Sequence, residues 1–224
     1  MTAHGIYRTM TEIASETIRE SILSGVYLPG RRLIPPTLEK ELHLSRVAIR
    51  EALKELVGSG LVTNVPNKGV VVSQAVTDEE LEEVFAIRLA LEGKACERAT
   101  ERISPREIER LRTLNDDLRA TSGSSKEFYV LNRRWHLQFY DASGWKSLCH
   151  IIAQLFDRVL VFRNVYPFKG ERIPGYIRDH DLMLDAMTKR DAAGAKRILL
   201  KHLAKGYESL VEARKKSKGG RNEG

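Results

Sequence analysis

A capped helix followed at once by a hairpin pattern constrains the fold of this chain more than any other feature. Ser45 can cap this helix, because a serine hydroxyl accepts a backbone N–H of the first helical turn. The helix carries one apolar stripe, made of Ile49, Ala52, Leu53 and Leu56. Strand-like runs follow at residues 61–65 and 70–72, and Gly69 in the turn between them can take a positive φ.

Two helical patterns precede this helix. The first is predicted over residues 11–24 and is ended by Gly25, and the second follows residues 35–37. Three helices and then a two-stranded hairpin predict a winged helix-turn-helix over residues 1–75.

Beyond residue 76 the strand patterns stop. Residues 77–80 and 104–107 are capping boxes, and each opens a helix. Further helices are predicted over residues 126–142, 145–166, 171–190 and 192–216. The predicted fold is therefore mainly α: a winged helix-turn-helix, then an all-α antiparallel helical bundle of about six helices at 76–216 and a basic flexible tail at 217–224.

Composition indicates a globular protein, with 42% hydrophobic and 30% charged residues. No apolar run approaches the ~18 residues of a membrane span, and the first residues lack the apolar region of a signal peptide. The cysteines, Cys96 and Cys149, form no CxxC pair and are predicted to be reduced. These features predict a cytoplasmic protein with no membrane partner.

The net charge of +7 suggests a polyanionic partner, but its distribution weakens that signal. Residues 1–75 carry nine Lys and Arg against seven Asp and Glu, and the tail from residue 213 carries five against one. The positions of individual arginines are therefore more informative than the total.

Arg46 and Arg50 lie four residues apart and share a helix face that points away from the apolar stripe. A guanidinium can donate two hydrogen bonds to the O6 and N7 of guanine, and it also fits phosphate. The alternative is that both are ordinary solvated charges, with Arg50 paired to a nearby acid. The order of three helices and a hairpin favours DNA. The candidate contacts are Ser45, Arg46, Arg50, Asn67, Lys68 and Gly69.

Residues 12–72 resemble the winged-helix domain of the GntR family of bacterial transcription regulators. The matching residues are Ile18-Arg19-Glu20, Ile22-Leu23-Ser24-Gly25, Pro29-Gly30, Leu33, Leu44-Ser45-Arg46, Arg50-Glu51-Ala52-Leu53, Leu56, Gly60-Leu61-Val62, Gly69 and Val71. The resemblance implies DNA contacts from Arg46, Arg50 and the wing around Gly69. Where the family opens its second helix with Pro-Ser-Glu-Arg, residues 34–38 read Ile-Pro-Pro-Thr-Leu and are one residue shorter. The DNA contact of that arginine is expected to be lost or replaced.

Polar residues in the helical region form a second constellation. Asn132 and His136 are four residues apart and share a face, while His180 and His202 lie on the last two helices. Three imidazoles from three helices can converge on one metal ion. Taken one at a time, each is better explained as a hydrogen-bonded, partly buried histidine than as a metal ligand.

Residues 78–210 resemble the FCD ligand-binding domain of the FadR-like branch of GntR regulators. The matching stretches are Ile87-Arg88-Leu89-Ala90-Leu91-Glu92, Asn132-Arg133-Arg134-Trp135-His136, Tyr140-Asp141-Ala142-Ser143-Gly144, Asp179-His180, Ala186-Met187, Arg190-Asp191-Ala192-Ala193, Ala195 and His202-Leu203. The resemblance implies a divalent metal, commonly zinc or nickel, held by an aspartate and by histidines at His136, His180 and His202. Asn132 occupies the aspartate's position, and a neutral amide oxygen is a poorer ligand. A weaker site, more open coordination positions and a metal-free polar pocket all remain open.

A small organic acid is the effector expected for such a site, because a carboxylate can bind the ion while an arginine holds another oxygen. The resemblance places Arg88 toward the cavity, although an ion pair with Glu92 one turn on is an equal alternative. Arg134 and Arg163 are weaker candidates. Trp135, Phe139 and Tyr140 are assigned to core packing.

These features together predict an effector-responsive DNA-binding regulator, a repressor by the family's common mode, that binds a palindromic double-stranded operator as a homodimer. One alternative is a constitutive dimeric DNA-binding protein with no effector. Another is a helical metalloenzyme, but the chain has no HExxH, nucleophile elbow or P-loop, and no Glu precedes a histidine by three residues as in di-iron sites. The prediction is that the chain is not an enzyme.

Overall fold

The computed structural model describes residues 8–74, 77–121, 125–166 and 170–219. The chain divides into two compact units, Met1–Ala75 and Val76–Gly224. Across the described residues, no helix combines the length and the apolar character that crossing a bilayer requires.

The first unit is a winged helix-turn-helix. Its elements are α1 (Met10–Leu23), α2 (Pro35–Leu42), α3 (Arg46–Gly58), β1 (Val62–Val65) and β2 (Gly69–Val72). The strands pair antiparallel, with Val62 opposite Val72 and Val65 opposite Gly69. The predicted order of three helices and a hairpin is confirmed.

Helix α1 begins one residue earlier than its apolar pattern predicts. Thr9 and Glu12 form a capping box, in which each side chain accepts a hydrogen bond from the other residue's backbone N–H. The core of this unit is built from one side of each helix and from the hairpin. Its fully buried side chains include Ile18, Ile22, Leu33, Leu38, Ile49, Leu56 and Leu61.

The second unit is entirely helical over its described residues. Its helices are α4 (Asp78–Arg102), α5 (Pro105–Ala120), α6 (Ser125–Asp141), α7 (Lys146–Val165), α8 (Ile173–Thr188) and α9 (Ala192–Gly219), with a 3-10 turn at Gly170–Arg172. Capping boxes at Thr77 and Ser104 open α4 and α5, as the sequence predicts. The prediction of a mainly α chain, with a winged helix and then a helical domain, is confirmed.

The C-terminal end of α9 differs from its predicted end. The helix continues through residues 217–219, which were assigned to a flexible tail. Lysines are good helix formers, so a basic run can extend a helix that is already nucleated. The rest of the predicted tail, residues 220–224, lies outside the described residues.

Packing in the second unit brings three helices around one buried polar centre. Helix α4 packs against α6, α7 and α9, and α8 packs against α5 and α9. Large aromatic side chains on α6 fill the space between them, and Trp135, Phe139 and Tyr140 are fully buried. Helices α6, α8 and α9 carry the three histidines that the sequence singles out.

Candidate functional site

The exposed face of α3 begins at its first turn. Ser45 caps the helix, and its Oγ accepts the backbone N–H of Ala48 at 3.3 Å. A helix turns about 100° per residue, so Arg46 and Arg50 lie about 40° apart, and both side chains are exposed. The buried stripe occupies the adjoining arc of the helix, at Ala48, Ile49, Ala52, Leu53 and Leu56. Both arginines therefore lie on the exposed side of the helix.

An acid on α2 holds one of these arginines. Arg46 Nη2 donates to Glu39 Oε2 at 2.7 Å, and Arg46 Nε donates to the same oxygen at 3.0 Å. The pair is half-exposed and contributes at most about 1 kcal/mol to folding. The alternative drawn from the sequence paired Arg50 with a nearby acid. Among the described residues Arg50 forms no ion pair, and it is Arg46 that pairs with an acid.

The tip of the wing has a defined backbone. Asn67 and Gly69 both have positive φ, at 63° and 76°, and the side chains of Asn67 and Lys68 are exposed. Arg32 Nε donates to the backbone oxygen of Lys68 at 2.9 Å. Sequence patterns did not single out Arg32, because its partner lies 36 residues away.

The start of α2 departs from the family pattern in the way the sequence indicates. Two prolines occupy the first turn, and the N-cap Ile34 offers no side-chain hydrogen bond. Pro36 and Thr37 are exposed in this turn. Lys40 is the basic residue that α2 itself contributes.

In the second unit, His136, His180 and His202 come together in the core. All three are buried. His136 Nε2 lies 3.2 Å from His202 Nε2 and 3.3 Å from His180 Nε2. The three side chains form a group that can hold a metal ion. The sequence could place them on three helices, but only the packing of the bundle brings the same ring nitrogen of each to one point.

The second ring nitrogen of His136, Nδ1, which points away from the other two histidines, faces the hydroxyl of Tyr140. Tyr140 Oη donates to Glu92 Oε2 at 2.6 Å, because a carboxylate only accepts. Tyr140 Oη therefore accepts from His136 Nδ1–H at 3.1 Å. This assigns the proton of His136 to Nδ1 and leaves a lone pair on Nε2.

The same reasoning fixes the proton of His180. Asn115 Nδ2 donates to Asp181 Oδ1 at 2.7 Å, so the Asn115 Oδ1 is the atom that faces His180 Nδ1 at 3.1 Å. His180 therefore carries its proton on Nδ1. Trp135 stacks on the His180 ring, with centroids 4.0 Å apart and planes 2° apart. Trp135 was assigned to core packing, and in addition it orients a histidine of the centre.

His202 faces an acid with its outer nitrogen. His202 Nδ1 lies 3.4 Å from Asp179 Oδ2, a long contact, and Asp179 also accepts two hydrogen bonds from Lys205 at 2.9 Å. Burial raises the pKa of Asp179, but the His202 ring and the Lys205 ammonium outweigh burial and hold that pKa below its usual value. The ionised carboxylate favours a proton on His202 Nδ1.

Three Nε2 lone pairs therefore point at one another, which is unfavourable unless a cation lies between them. A proton is a poor candidate. Burial lowers the pKa of His136 and of His180 far below 6.5, and repulsion between the rings lowers both further. Burial also lowers the pKa of His202, and Asp179 offsets this only in part. The centre is a set of neutral imidazoles, the form that binds metals.

A cavity of about 50 Å³ adjoins this centre. Its polar lining comes from Arg88, Asn132, His136, Arg163 and His202, and aromatic side chains supply much of the rest. Asn132 Oδ1 is buried there and has no hydrogen-bond partner among the described residues. A buried amide oxygen without a donor is destabilising, so this atom fits a ligand position.

The arginines named from the sequence differ in location. Arg88 is buried, donates to Glu92 Oε1 at 2.5 Å and lies over the Phe156 ring at 3.9 Å. It also lines the cavity, so Arg88 both forms the ion pair with Glu92 and lies at the cavity. Arg163 lines the cavity as well. Arg134 is exposed. It lies two residues from both Asn132 and His136, which places it on the opposite side of the helix. The structure does not bring Arg134 to the cavity.

Sequence reasoning missed the residues that fix the histidine rings. Glu92, Asn115 and Asp179 were not assigned to the centre. Tyr140 was assigned to the core, although its spacing of four residues from His136 was a usable signal. Outside this centre, Cys96 is buried and Cys149 is half-buried, and both are free thiols. Burial raises the pKa of the Cys96 thiol to about 12, so it is inert.

These two units define a class: a winged helix with an exposed cationic helix face, joined to an all-helical domain with a buried polar centre. The model of the FCD domain matches residues 83–205, and the model described as bacterial regulatory proteins, gntR family, matches residues 11–72. The chain belongs to the GntR family of bacterial regulators, in the group that carries an FCD domain. It is a DNA-binding transcription regulator.

Known relatives agree with this assignment. The HTH-type transcriptional regulator McbR of Escherichia coli K12 is 26% identical over 198 residues, covering 85% of this chain and 88% of McbR. The Nta operon transcriptional regulator of Aminobacter aminovorans is 26% identical over 187 residues, covering 83% and 87%. The structure of E. coli McbR/YncC superposes with a TM-score of 0.84 at 24% identity, covering 92% and 99%, and supports the fold.

Proposed function

We propose that this regulator senses a small carboxylate through a divalent metal held by His136, His180 and His202, and that occupancy of the site changes its affinity for operator DNA. The observation that carries the proposal is the convergence of three Nε2 atoms, with an oxygen facing each Nδ1 at 3.1 to 3.4 Å. Backing of the outer ring nitrogen by an oxygen is the usual support of a metal-binding histidine.

The donor set fits zinc or nickel. Imidazole nitrogens suit both ions. Ligands at about 2.05 Å in a tetrahedron lie about 3.3 Å apart, and the observed Nε2 separations are 3.2 and 3.3 Å. The ion would supply a fixed positive charge at the end of the cavity. Asn132 would add a neutral oxygen where the family has a carboxylate, so one negative charge is missing from the ligand set.

That missing charge favours an anionic effector. Three imidazoles and an amide leave the charge of a divalent ion uncompensated, and a carboxylate from solution can supply what the chain does not. Arg88 is positioned to hold a second oxygen of such an acid, and Arg163 lines the same cavity. A space of about 50 Å³ holds a few water molecules and is smaller than a typical ligand pocket. We infer that binding an acid displaces the surrounding helices.

This movement is the proposed link to DNA. An effector can shift DNA affinity only by binding two arrangements of the protein unequally. We assign residues 1–75 to operator binding and residues 76–216 to effector binding and dimerisation. A homodimer would place two copies of α3 and the wing on a palindromic operator, with Ser45, Arg46, Arg50, Asn67, Lys68 and Gly69 at the DNA. Repression relieved by the effector is the proposed sense of the response.

Metal content tests the proposal directly. The full chain, purified and loaded with zinc, is expected to retain one equivalent per chain after gel filtration, measured by mass spectrometry. The double variant His180→Ala, His202→Ala is expected to lose it. His150→Ala is the matched control, because His150 is an exposed histidine of the same unit that contacts Gln154. Equal zinc in all three proteins would exclude the histidine centre as the site.

A further inference from the structure

Val47 is an exposed apolar side chain in an unusual place. At 73% exposure it is the most exposed of the large hydrophobic residues in the described parts of the chain. Single exposed hydrophobic residues are common on protein surfaces and need no explanation by themselves. The position of Val47 is what makes it informative.

Val47 is the second residue of α3 and belongs to its cationic face. At about 100° per residue, Arg46, Arg50 and Val47 fall within an arc of about 100°, and Arg50 lies between the other two. Residues at the N-terminal end of a recognition helix are those that reach base edges in the major groove. Val47 therefore stands beside Arg50 on the surface where base contacts are made.

We propose that Val47 contacts the 5-methyl group of a thymine next to the guanine that Arg50 contacts, and so determines one position of the operator. The inference rests on the proposed placement of α3 in the major groove. In that groove thymine alone among the four bases presents a methyl group, whereas cytosine presents an amino donor. The valine side chain has no hydrogen-bonding atom, so it can match the methyl group and would leave the cytosine donor unpaired.

The expected effect is modest and measurable. Removing one buried methyl group costs about fourfold in affinity, which corresponds to about 0.8 kcal/mol. The first step is selection of an operator by the full chain from random DNA duplexes. Each thymine of the selected half-site is then replaced in turn by deoxyuridine, which lacks the 5-methyl group and retains base pairing.

We expect one thymine in each half-site at which this exchange weakens binding by the wild-type protein about fourfold per half-site. If no thymine is sensitive to the exchange, the inference is wrong. Val47→Ser removes the apolar contact, and serine has a helix propensity similar to that of valine. This variant is expected to bind the thymine operator more weakly and to lose the sensitivity. A variant that keeps the full sensitivity also overturns the inference.

Two further variants separate the inference from its premise. Val57→Ser changes the other exposed valine of α3, near the C-terminal end of the helix, and is expected to keep wild-type affinity and sensitivity. Arg50→Ala tests whether this face of α3 contacts DNA at all, with an expected loss of roughly tenfold or more. If Arg50→Ala binds the operator as tightly as the wild-type protein does, the premise that this face contacts DNA is wrong. If Arg50→Ala binds weakly but Val47→Ser keeps the full response to the thymine exchange, only the inference about Val47 is wrong.

Discussion

At the level of single residues, the histidine centre depends on oxygen atoms that face the Nδ1–H groups of the rings. Tyr140, Asn115 and Asp179 each face one Nδ1 and thereby leave one Nε2 free to bind an ion. The rings alone would not specify which nitrogen points inward. The centre therefore depends on six side chains, and only the three histidines were identified from the sequence.

Asn132 is the residue whose change should affect this centre most simply. We predict that Asn132→Asp tightens zinc binding at least tenfold, because a carboxylate replaces a neutral oxygen that now lacks a partner. Competition with a zinc-chelating dye would measure the change. The same substitution should weaken binding of carboxylates, since the ion's charge is then partly neutralised.

The control for this prediction is Asn164→Asp, which makes the same chemical change on α7. Its zinc affinity should equal that of the wild-type protein. Unchanged zinc affinity in Asn132→Asp would show that the side chain at position 132 does not contact the ion.

Among the elements, α2 borders the face of α3 that we propose contacts DNA. Glu39 on α2 is an acid next to that face and holds the Arg46 guanidinium through two hydrogen bonds. On a DNA-binding face, an acid in this position would repel the phosphate backbone and withhold one cation from it.

We predict that Glu39→Gln raises affinity for operator and for random DNA alike, by roughly threefold to tenfold, with a steeper salt dependence. Fluorescence anisotropy at several salt concentrations would measure both. Folding stability should change by less than about 1 kcal/mol, because the pair is half-exposed. Glu20→Gln, an equal charge change at an exposed position of α1, should have a smaller effect. Weaker operator binding by Glu39→Gln would instead mean that Glu39 orients Arg46 for its contact.

The elements also show what the sequence can and cannot predict. The helix starts at Thr77 and Ser104 were predictable because a capping box lies within four residues. The Arg32 contact with Lys68 spans 36 residues, the Tyr140 contact with Glu92 spans 48 and the His180 contact with Asn115 spans 65. Such contacts depend on tertiary packing, so local patterns do not reveal them. The spacing of the histidines allowed them to converge but did not require it. Only the packing of the helical bundle shows that they do.

For the whole molecule, the buried histidines make the free energy of unfolding depend on pH. The pKa values of His136, His180 and His202 are lowered from 6.5 in the folded protein, mainly by burial. Below about pH 6.5 the unfolded chain binds protons that the folded chain does not. The free energy of unfolding should therefore fall as pH falls from 6.5, by up to about 1.4 kcal/mol per pH unit for each histidine.

Urea unfolding of chelator-treated protein at pH 7.5, 6.5 and 5.5 tests this prediction. For three histidines we expect a loss of about 1 kcal/mol between the first two values and of about 3 kcal/mol between the last two. His150→Ala should retain the full loss, and His202→Gln should show a smaller one. Equal stability at pH 6.5 and 5.5 in the wild-type protein would contradict the buried neutral state of these rings.

In the proposed function, the helical domain controls the DNA contacts of the winged helix. The most direct measurement is the dissociation constant for the selected operator, with zinc-loaded protein titrated with simple mono-, di- and tricarboxylates. We predict that at least one acid shifts this constant by roughly 5- to 150-fold and that the shift disappears in the double variant His180→Ala, His202→Ala. An operator affinity that no acid changes, or a shift that survives in the double variant, would contradict the claim and favour a constitutive DNA-binding protein.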